Sequence, residues 1–363
     1  MGRLKVDFIV GRRFPEITGI DRYARELIGH CGGELDGRII DYDLDFPLPG
    51  LERLPALLYY PLVVARRRRV DSVKHLCSHI QAQLLNYLRL EPSVVTCYDI
   101  YPYLEREYPA TDRAMVRLGL RGMMKADRVI AISRFTREEI AVHLGFPRER
   151  IHVTHLGVDH ARYRPLPCRA GEMERYGVPA GKRVLLYVGS EQPRKNLPTL
   201  FRAFAAAREE REDVVLLKGG RPQWKGAREK LLRLAERLGI RDDVFFADFV
   251  PEEDLPSLYA SANLFVFPSL YEGFGLPPLE AMACGCPVVC SNVTSLPEVV
   301  GKAALTVDPL DVEGLAEAIL RVLGDDDLRE RLVGMGIERA AKFSWQETAR
   351  KTMEAYIDLL HYR

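Results

Sequence analysis

The chain has 363 residues, 47% of them hydrophobic, with 52 Lys and Arg against 51 Asp and Glu and a formal charge of only +1. That length exceeds one ordinary domain and suits two, each able to bury a core. The balanced charge excludes the global basic field that nucleic-acid binding exploits. The seven cysteines, Cys31, Cys77, Cys97, Cys168, Cys284, Cys286 and Cys290, are an odd set without paired C-x-x-C spacing. They read as reduced core thiols of a cytosolic protein, against a zinc framework or a disulfide scaffold.

Taken in order, short β-branched runs alternate with amphipathic segments, the pattern of parallel strands joined by crossover helices. "KVDFIV" predicts a buried strand and "DRYARELIGHC" a helix. No apolar leader follows the opening "MGRLKVDFIV", and the longest apolar stretch, "LPALLYYPLVVA", falls short of the ~20 residues of a membrane-spanning helix. The protein is therefore expected in the cytoplasm, at the inner face of the membrane if it meets one. That stretch runs into Arg66, Arg67, Arg68 and Arg69. The run fits a solvated helix end, where cations are favoured, and equally a peripheral contact with anionic lipid. "SVKHLCS", "SVVTCYD" and "DRVIAIS" predict further strands. His75 and His79 are spaced four apart without the acid of a metalloprotease motif, and suit packing or cleft lining. Ser133 is placed to cap "RFTREEIAVHL", Gly145 to end it, and "RIHVTHLGVD" follows as a strand.

A charged, Pro- and Gly-rich stretch, "HARYRPLPCRAGEMERYGVPAGKR", reads as a linker. The second half restarts with strand "RVLLYVGS" and helix "NLPTLFRAFAAARE", then "DVVLLKGG", "GAREKLLRLAERLG", "DVFFADF" and "DLPSLYASA". Strand "LFVFPS" leads into "LYEGFGLPPLEAMACGCPVV". The helix "EGLAEAILRVLG" completes the second sheet, and "WQETARKTMEAYIDLLHYR" lies beyond it. The fold class is α/β, with two Rossmann-like doubly wound domains.

The chemistry concentrates after "LFVFPS". Pro277 and Pro278 suit a first helical turn, which leaves Glu272 in the loop and places Glu280 in that first turn. Ligands of an open parallel sheet bind beyond the carboxyl ends of its strands, and a helix start attracts phosphate. Gly273 and Gly275 let backbone amides of the loop, with Phe274 and Leu276, approach a diphosphate closely. Acids beside phosphate would repel it, so Glu272 and Glu280 are expected to hold hydroxyls. A nucleotide sugar supplies both groups. Arg194 and Lys195, at the strand-to-helix junction after Gly189, would stabilise a departing diphosphate.

"EGFGLPPLE" resembles the E-x7-E motif of the family 4 retaining glycosyltransferases, and "YVGSEQPRKN" resembles their diphosphate-binding segment. "TGIDRYARELI", "VVTCYDIYP", "ADRVIAISRFT" and "THLGVD" resemble further elements of that group in the same order, so the resemblance spans nearly the whole chain. It implies the GT-B fold, two such domains facing across a cleft. An acceptor domain would occupy 1–165, a donor domain 166–345, and a C-terminal helix, 346–363, would cross back to the first. It implies that Glu272 contacts donor-sugar hydroxyls, Glu280 the ribose, and Arg194 and Lys195 the diphosphate. The loop at Gly19, with Ile20 and Asp21, would line the facing side with Tyr98 and Asp99. It also implies retention, with the departing phosphate accepting the acceptor's proton.

The chain departs from the pattern in two respects. Thr18, Asp21 and Tyr98 stand where many relatives carry a Gly-rich loop and a His-Asp pair, and Ser190 stands where some carry an Arg. Tyr98 can hydrogen-bond a hydroxyl but cannot be a cation near neutral pH. The function expected is transfer of a hexose, mannose by preference, from a nucleotide diphosphate sugar to a glycan or lipid-linked glycan. No cofactor and no metal are expected. By resemblance alone GDP-mannose is preferred over UDP-sugars, with backbone groups at Phe249 and Val250 facing the base. A nucleotide-sugar epimerase and a non-catalytic sugar-nucleotide-binding subunit are the rival readings.

Overall fold

The computed structural model describes residues 3–12, 19–31, 33–44, 55–105, 108–167 and 171–361. The chain divides into two compact units. Unit 1 comprises Met1–Gly157 with Trp345–Arg363, and unit 2 comprises Val158–Ser344. The change of unit at Gly157 thus precedes the boundary expected at 165, and the start of the presumed linker packs within unit 2.

Unit 1 holds strands β1 (Leu4–Arg12), β2 (Leu35–Tyr42), β3 (Val73–Leu76), β4 (Ser93–Cys97), β5 (Arg128–Ala131) and β6 (Ile151–Val153). They form one parallel sheet of order β2-β1-β3-β4-β5-β6. The four central strands are mostly buried, as strands covered by helices on both faces must be, although Asp7, Lys74 and His75 interrupt their apolar runs. β2 carries Asp36, Arg38 and Asp41 among its apolar residues and edges the sheet, which hid it from a search for continuous apolar runs. The helix Ala110–Met123 was likewise not anticipated. Its Gly119 and Gly122 lie against the backbone of the segment after β3: a Cβ on Gly122 would stand 1.8 Å from the Ala82 carbonyl oxygen. Ser133 Oγ caps the next helix, Arg134–Leu144, by accepting from the Thr136 amide at 2.9 Å, and Gly145 ends it in the left-handed conformation. The C-terminal helix Trp345–His361 completes unit 1, with Tyr356 bonded to His75 and Asp358 to Arg128.

The arginine run does not act as one surface. The Arg69 backbone amide and Nε donate to the two oxygens of Asp7, fully buried on β1, at 2.7 and 2.8 Å. Its Nη1 reaches Asp36 at 2.7 Å, and its Nη2 reaches the carbonyls of Val6 and Asp36. Arg68 donates to the Arg89 carbonyl. Only Arg66 and Arg67 are exposed, next to Leu58, Tyr59 and Leu62, which are exposed too. The four-residue basic patch is therefore reduced to two, because a buried aspartate on β1 requires a cation.

Unit 2 holds β7 (Arg183–Val188), β8 (Val214–Gly219), β9 (Val244–Ala247), β10 (Leu264–Phe267), β11 (Val288–Ser291) and β12 (Leu305–Val307). Its parallel order is β12-β11-β10-β7-β8-β9. The chain walks outward from β7 to β9, then returns to lay β10 on the other side of β7. The crevice beyond these two strands is where such a sheet presents ligands. The helix after β10 runs Leu276–Ala283, so Glu280 is its fifth residue and sits in the second turn, one turn later than expected. The helix opens two residues early because Gly275, with φ of 110°, supplies the reversal.

Candidate active site

Two loops meet at the β7/β10 crevice. From β7 comes Gly189 to Asn196, in which Asn196 adopts φ of 55° and bonds through Nδ2 to the carbonyls of Pro268 and Pro309. From β10 comes Ser269 to Gly275. The Leu270 amide bonds the Arg194 carbonyl at 2.8 Å, and Arg194 Nη1 bonds the Tyr271 carbonyl at 3.0 Å. Beneath the second loop, Ser295 Oγ donates to the carbonyls of Glu272 and Phe274, both at 2.8 Å, and the Glu272 amide donates to Thr294 Oγ1 at 3.2 Å. A Cβ on Gly275 would lie 2.7 Å from Leu296. The loop is thus held by backbone contacts that its glycines permit.

At the centre, Glu272 Oε1 accepts from Lys195 Nζ at 2.6 Å and Oε2 from Arg194 Nη1 at 3.2 Å. Glu272 is 7% exposed and Lys195 8%. Burial pushes the Glu272 carboxyl up, but Lys195 and Arg194 outweigh it and hold the group below the usual carboxylate range. Lys195 also lies 5.0 Å over the Phe267 ring. The sequence treated the acid and the two cations as separate contacts. The fold makes them one cluster with a net charge of +1, suited to an anion beside hydroxyls. Glu280 accepts from the hydroxyl of the buried Tyr259 at 3.2 Å, a partner that sequence reasoning missed.

Gly189 and Gly220 bring the ends of β7 and β8 together, the Gly189 amide bonding the Gly219 carbonyl at 3.0 Å. Phe249 is 51% exposed under the guanidinium of Arg221, 4.4 Å from its ring centre, and Val250 packs near Gly219. Nearby, Lys218, Glu191 and Arg228 form a buried ionic cluster that was also missed. Its signal was present: a lysine inside the apolar strand "VVLLKGG" demands a buried partner.

In unit 1, Gly19, Ile20 and Asp21 open the helix Gly19–His30, but their side chains and the whole of Thr18 lie outside the described residues. Tyr98 and Asp99 follow β4. The Tyr98 ring meets Tyr23 edge-on, and Asp99 accepts from the Tyr101 amide at 3.2 Å. His79, 6% exposed, sets Nδ1 3.9 Å from Cys97 Sγ. His75 is a core residue: its ring nitrogens bond Tyr356 Oη at 2.6 Å and Thr96 Oγ1 at 2.7 Å. Among the described residues no group of three or more His, Cys, Asp or Glu side chains could hold a metal ion.

Residues 19–162 match the family described as Glycosyltransferase Family 4, and residues 169–339 match Glycosyl transferases group 1. The O-antigen chain mannosyltransferase B of Escherichia coli is 38% identical over 314 residues, covering 84% of this chain and 81% of that protein. The chain belongs to glycosyltransferase family 4. A second relative, the serotype-specific mannosyltransferase WbdA of Escherichia coli, is 33% identical over 74% of this chain, which spans only 34% of that longer protein. The fold is GT-B. Sucrose-phosphate synthase from Thermosynechococcus elongatus superposes with a TM-score of 0.80 at 22% identity, covering 99% of this chain and 100% of that one. As a family 4 member the protein is a glycosyltransferase, which does not favour the epimerase or the non-catalytic reading.

Proposed function

We propose that the protein transfers mannose from GDP-mannose, with retention of configuration and without a metal ion, to a hydroxyl of a growing glycan of the O-antigen type. The observation that carries this reading is the Glu272–Lys195–Arg194 cluster at the β7/β10 crevice, ahead of the start of the helix Leu276–Ala283. Curated relatives that carry mannosyltransferase names support the sugar.

On this reading Lys195 and Arg194 hold the diphosphate together with the amides of Gly273, Phe274, Gly275 and Leu276, and neutralise charge as the sugar–phosphate bond breaks. Glu272 fixes the sugar hydroxyls and Glu280 the ribose. The leaving phosphate oxygen accepts the acceptor's proton on the face from which it departs, so no side chain is assigned as general base. Tyr98 and Asp99 of unit 1 serve the acceptor. The base lies against Phe249 and Val250. No described helix is long and apolar enough to cross a membrane. A lipid-linked acceptor is reached through peripheral contact, for which the exposed Leu58, Tyr59 and Leu62 beside Arg66 and Arg67 are suited.

The test is a donor screen by mass spectrometry, with GDP-mannose and the common UDP-sugars, run with and without excess chelator on O-antigen acceptor fragments. Mannose transfer from GDP-mannose that survives the chelator is expected. Transfer from UDP-sugars alone would overturn the donor, and rescue by magnesium after chelation would overturn metal independence.

A further inference from the structure

A carboxylate at the edge of unit 2 is only half used. Glu191 follows β7 and is 4% exposed. Its Oε1 accepts from Lys218 Nζ at 2.9 Å and from Nε and Nη2 of Arg228 at 2.8 and 2.5 Å. Its Oε2 is buried and has no hydrogen-bond partner among the described residues. A carboxylate has room for about four hydrogen bonds, and a buried acceptor left empty is costly. Were Glu191 present only to neutralise Lys218 and Arg228, sharing both oxygens would be the cheaper arrangement.

The surroundings suggest what the idle oxygen meets. Glu191, Lys218 and Asp248 come from the carboxyl ends of β7, β8 and β9, and Asp248 braces Arg228 at 2.6 Å. The Gly219–Gly220 turn adds no side chain, and at Gly220 a Cβ would lie 2.5 Å from the Gly189 carbonyl oxygen. The stacked Arg221 and Phe249 rise beside it, offering a flat cationic and aromatic face. With a diphosphate at the β7/β10 crevice and Tyr259 with Glu280 toward the helix that follows β9, the rest of a nucleotide is directed along this edge.

We propose that Glu191 Oε2 accepts hydrogen bonds from the N–H edge of the nucleotide's base and thereby selects guanine. The proposal rests on reading unit 2 as a GDP-sugar site. Guanine presents adjacent N1–H and N2–H donors to an acceptor-only group, whereas uracil presents one N–H between two carbonyls that a carboxylate repels. Adenine sets its amino group beside a ring acceptor. Arg228 and Lys218 hold the carboxylate in place through its other oxygen.

The experiment is calorimetric titration of the full chain with GDP, IDP and UDP, IDP being the diphosphate of a guanine that lacks the 2-amino group. The wild-type protein is expected to bind GDP about tenfold or more tightly than IDP, and UDP more weakly still. Glu191→Gln is expected to pull the GDP-to-IDP ratio toward one. Should that variant unfold for want of a charge against Lys218 and Arg228, Glu191→Asp keeps the charge, shortens the reach by one methylene, and is expected to lower the same ratio. Equal binding of GDP and IDP by the wild type would overturn the proposal and leave a buried water as the partner of Oε2. An unchanged ratio in the folded variants would overturn it too, making Glu191 structural while GDP binding stands. Binding of UDP without GDP would instead remove the GDP-sugar reading itself.

Discussion

Lys195 precedes a helix and would be disfavoured there by the helix dipole if it stood alone. It is retained against Glu272, and the pair is buried enough that removing either charge strands the other. Glu272→Gln replaces charge-assisted contacts with neutral ones. On the proposed role it should lose about 2 to 4 kcal/mol of transition-state stabilisation, a drop of about thirty- to a thousand-fold in kcat, which steady-state kinetics with folding checked by circular dichroism would measure. Lys195→Ala should weaken nucleoside diphosphate binding far more than nucleoside binding. Equal losses by calorimetry would place the lysine away from the phosphates. Glu272, Glu280, Arg194 and Lys195 were all legible as site candidates from the sequence, because Glu272, Arg194 and Lys195 follow strand ends and glycines closely and Glu280 stands in the helix that opens after Gly275. Their joining into one ionic cluster was not, since 77 residues separate Lys195 from Glu272.

At the scale of elements, the helix Trp345–His361 and β3 are joined by His75, whose ring is buried, uncharged and bonded on both nitrogens. Burial pulls its pKa down to about 3 from the ordinary 6.5. The folded state therefore binds this proton more weakly than the unfolded state, so the contribution is complete above about pH 6.5 and is lost as pH falls toward 3. Between pH 6.5 and 5, where most carboxylates are still ionised, unfolding free energy should decline with falling pH. The His75→Gln variant should remove a share of that slope approaching 1.4 kcal/mol per pH unit, the value for one proton. Urea unfolding at several pH values would measure it, and identical slopes would refute the assignment. The helix Ala110–Met123 makes a second element-scale case. Gly122→Ala drives a methyl into the Ala82 carbonyl, and a loss of about 1 to 3 kcal/mol is expected in the same unfolding assay. Neither pairing is visible in local patterning, since a histidine in "HLCSH" and a glycine in a helix are each compatible with several roles.

At the scale of the whole molecule, both units bury ionic groups in their own interiors. Unit 1 spends Arg69 on its own interior, so Arg69→Met should destabilise it by about 3 to 5 kcal/mol by leaving Asp7 uncompensated. Replacing Arg66 and Arg67 with serine should leave unfolding unchanged and reduce salt-sensitive cosedimentation with anionic vesicles. Vesicle binding indifferent to that change would end the membrane reading. The alternation of apolar runs and amphipathic helices determined the α/β class by itself, because strand and helix periods are local properties of the chain. The E-x7-E segment likewise declared the family, because its glycines, prolines and acids act within one loop and one helix. Only the tertiary structure decided that Arg69 belongs to the core, that Glu280 meets Tyr259, and that Glu191 is gripped by Lys218 and Arg228. Each of these depends on partners from 21 to 62 residues away, whose approach is set by sheet order and burial and by no nearby residue.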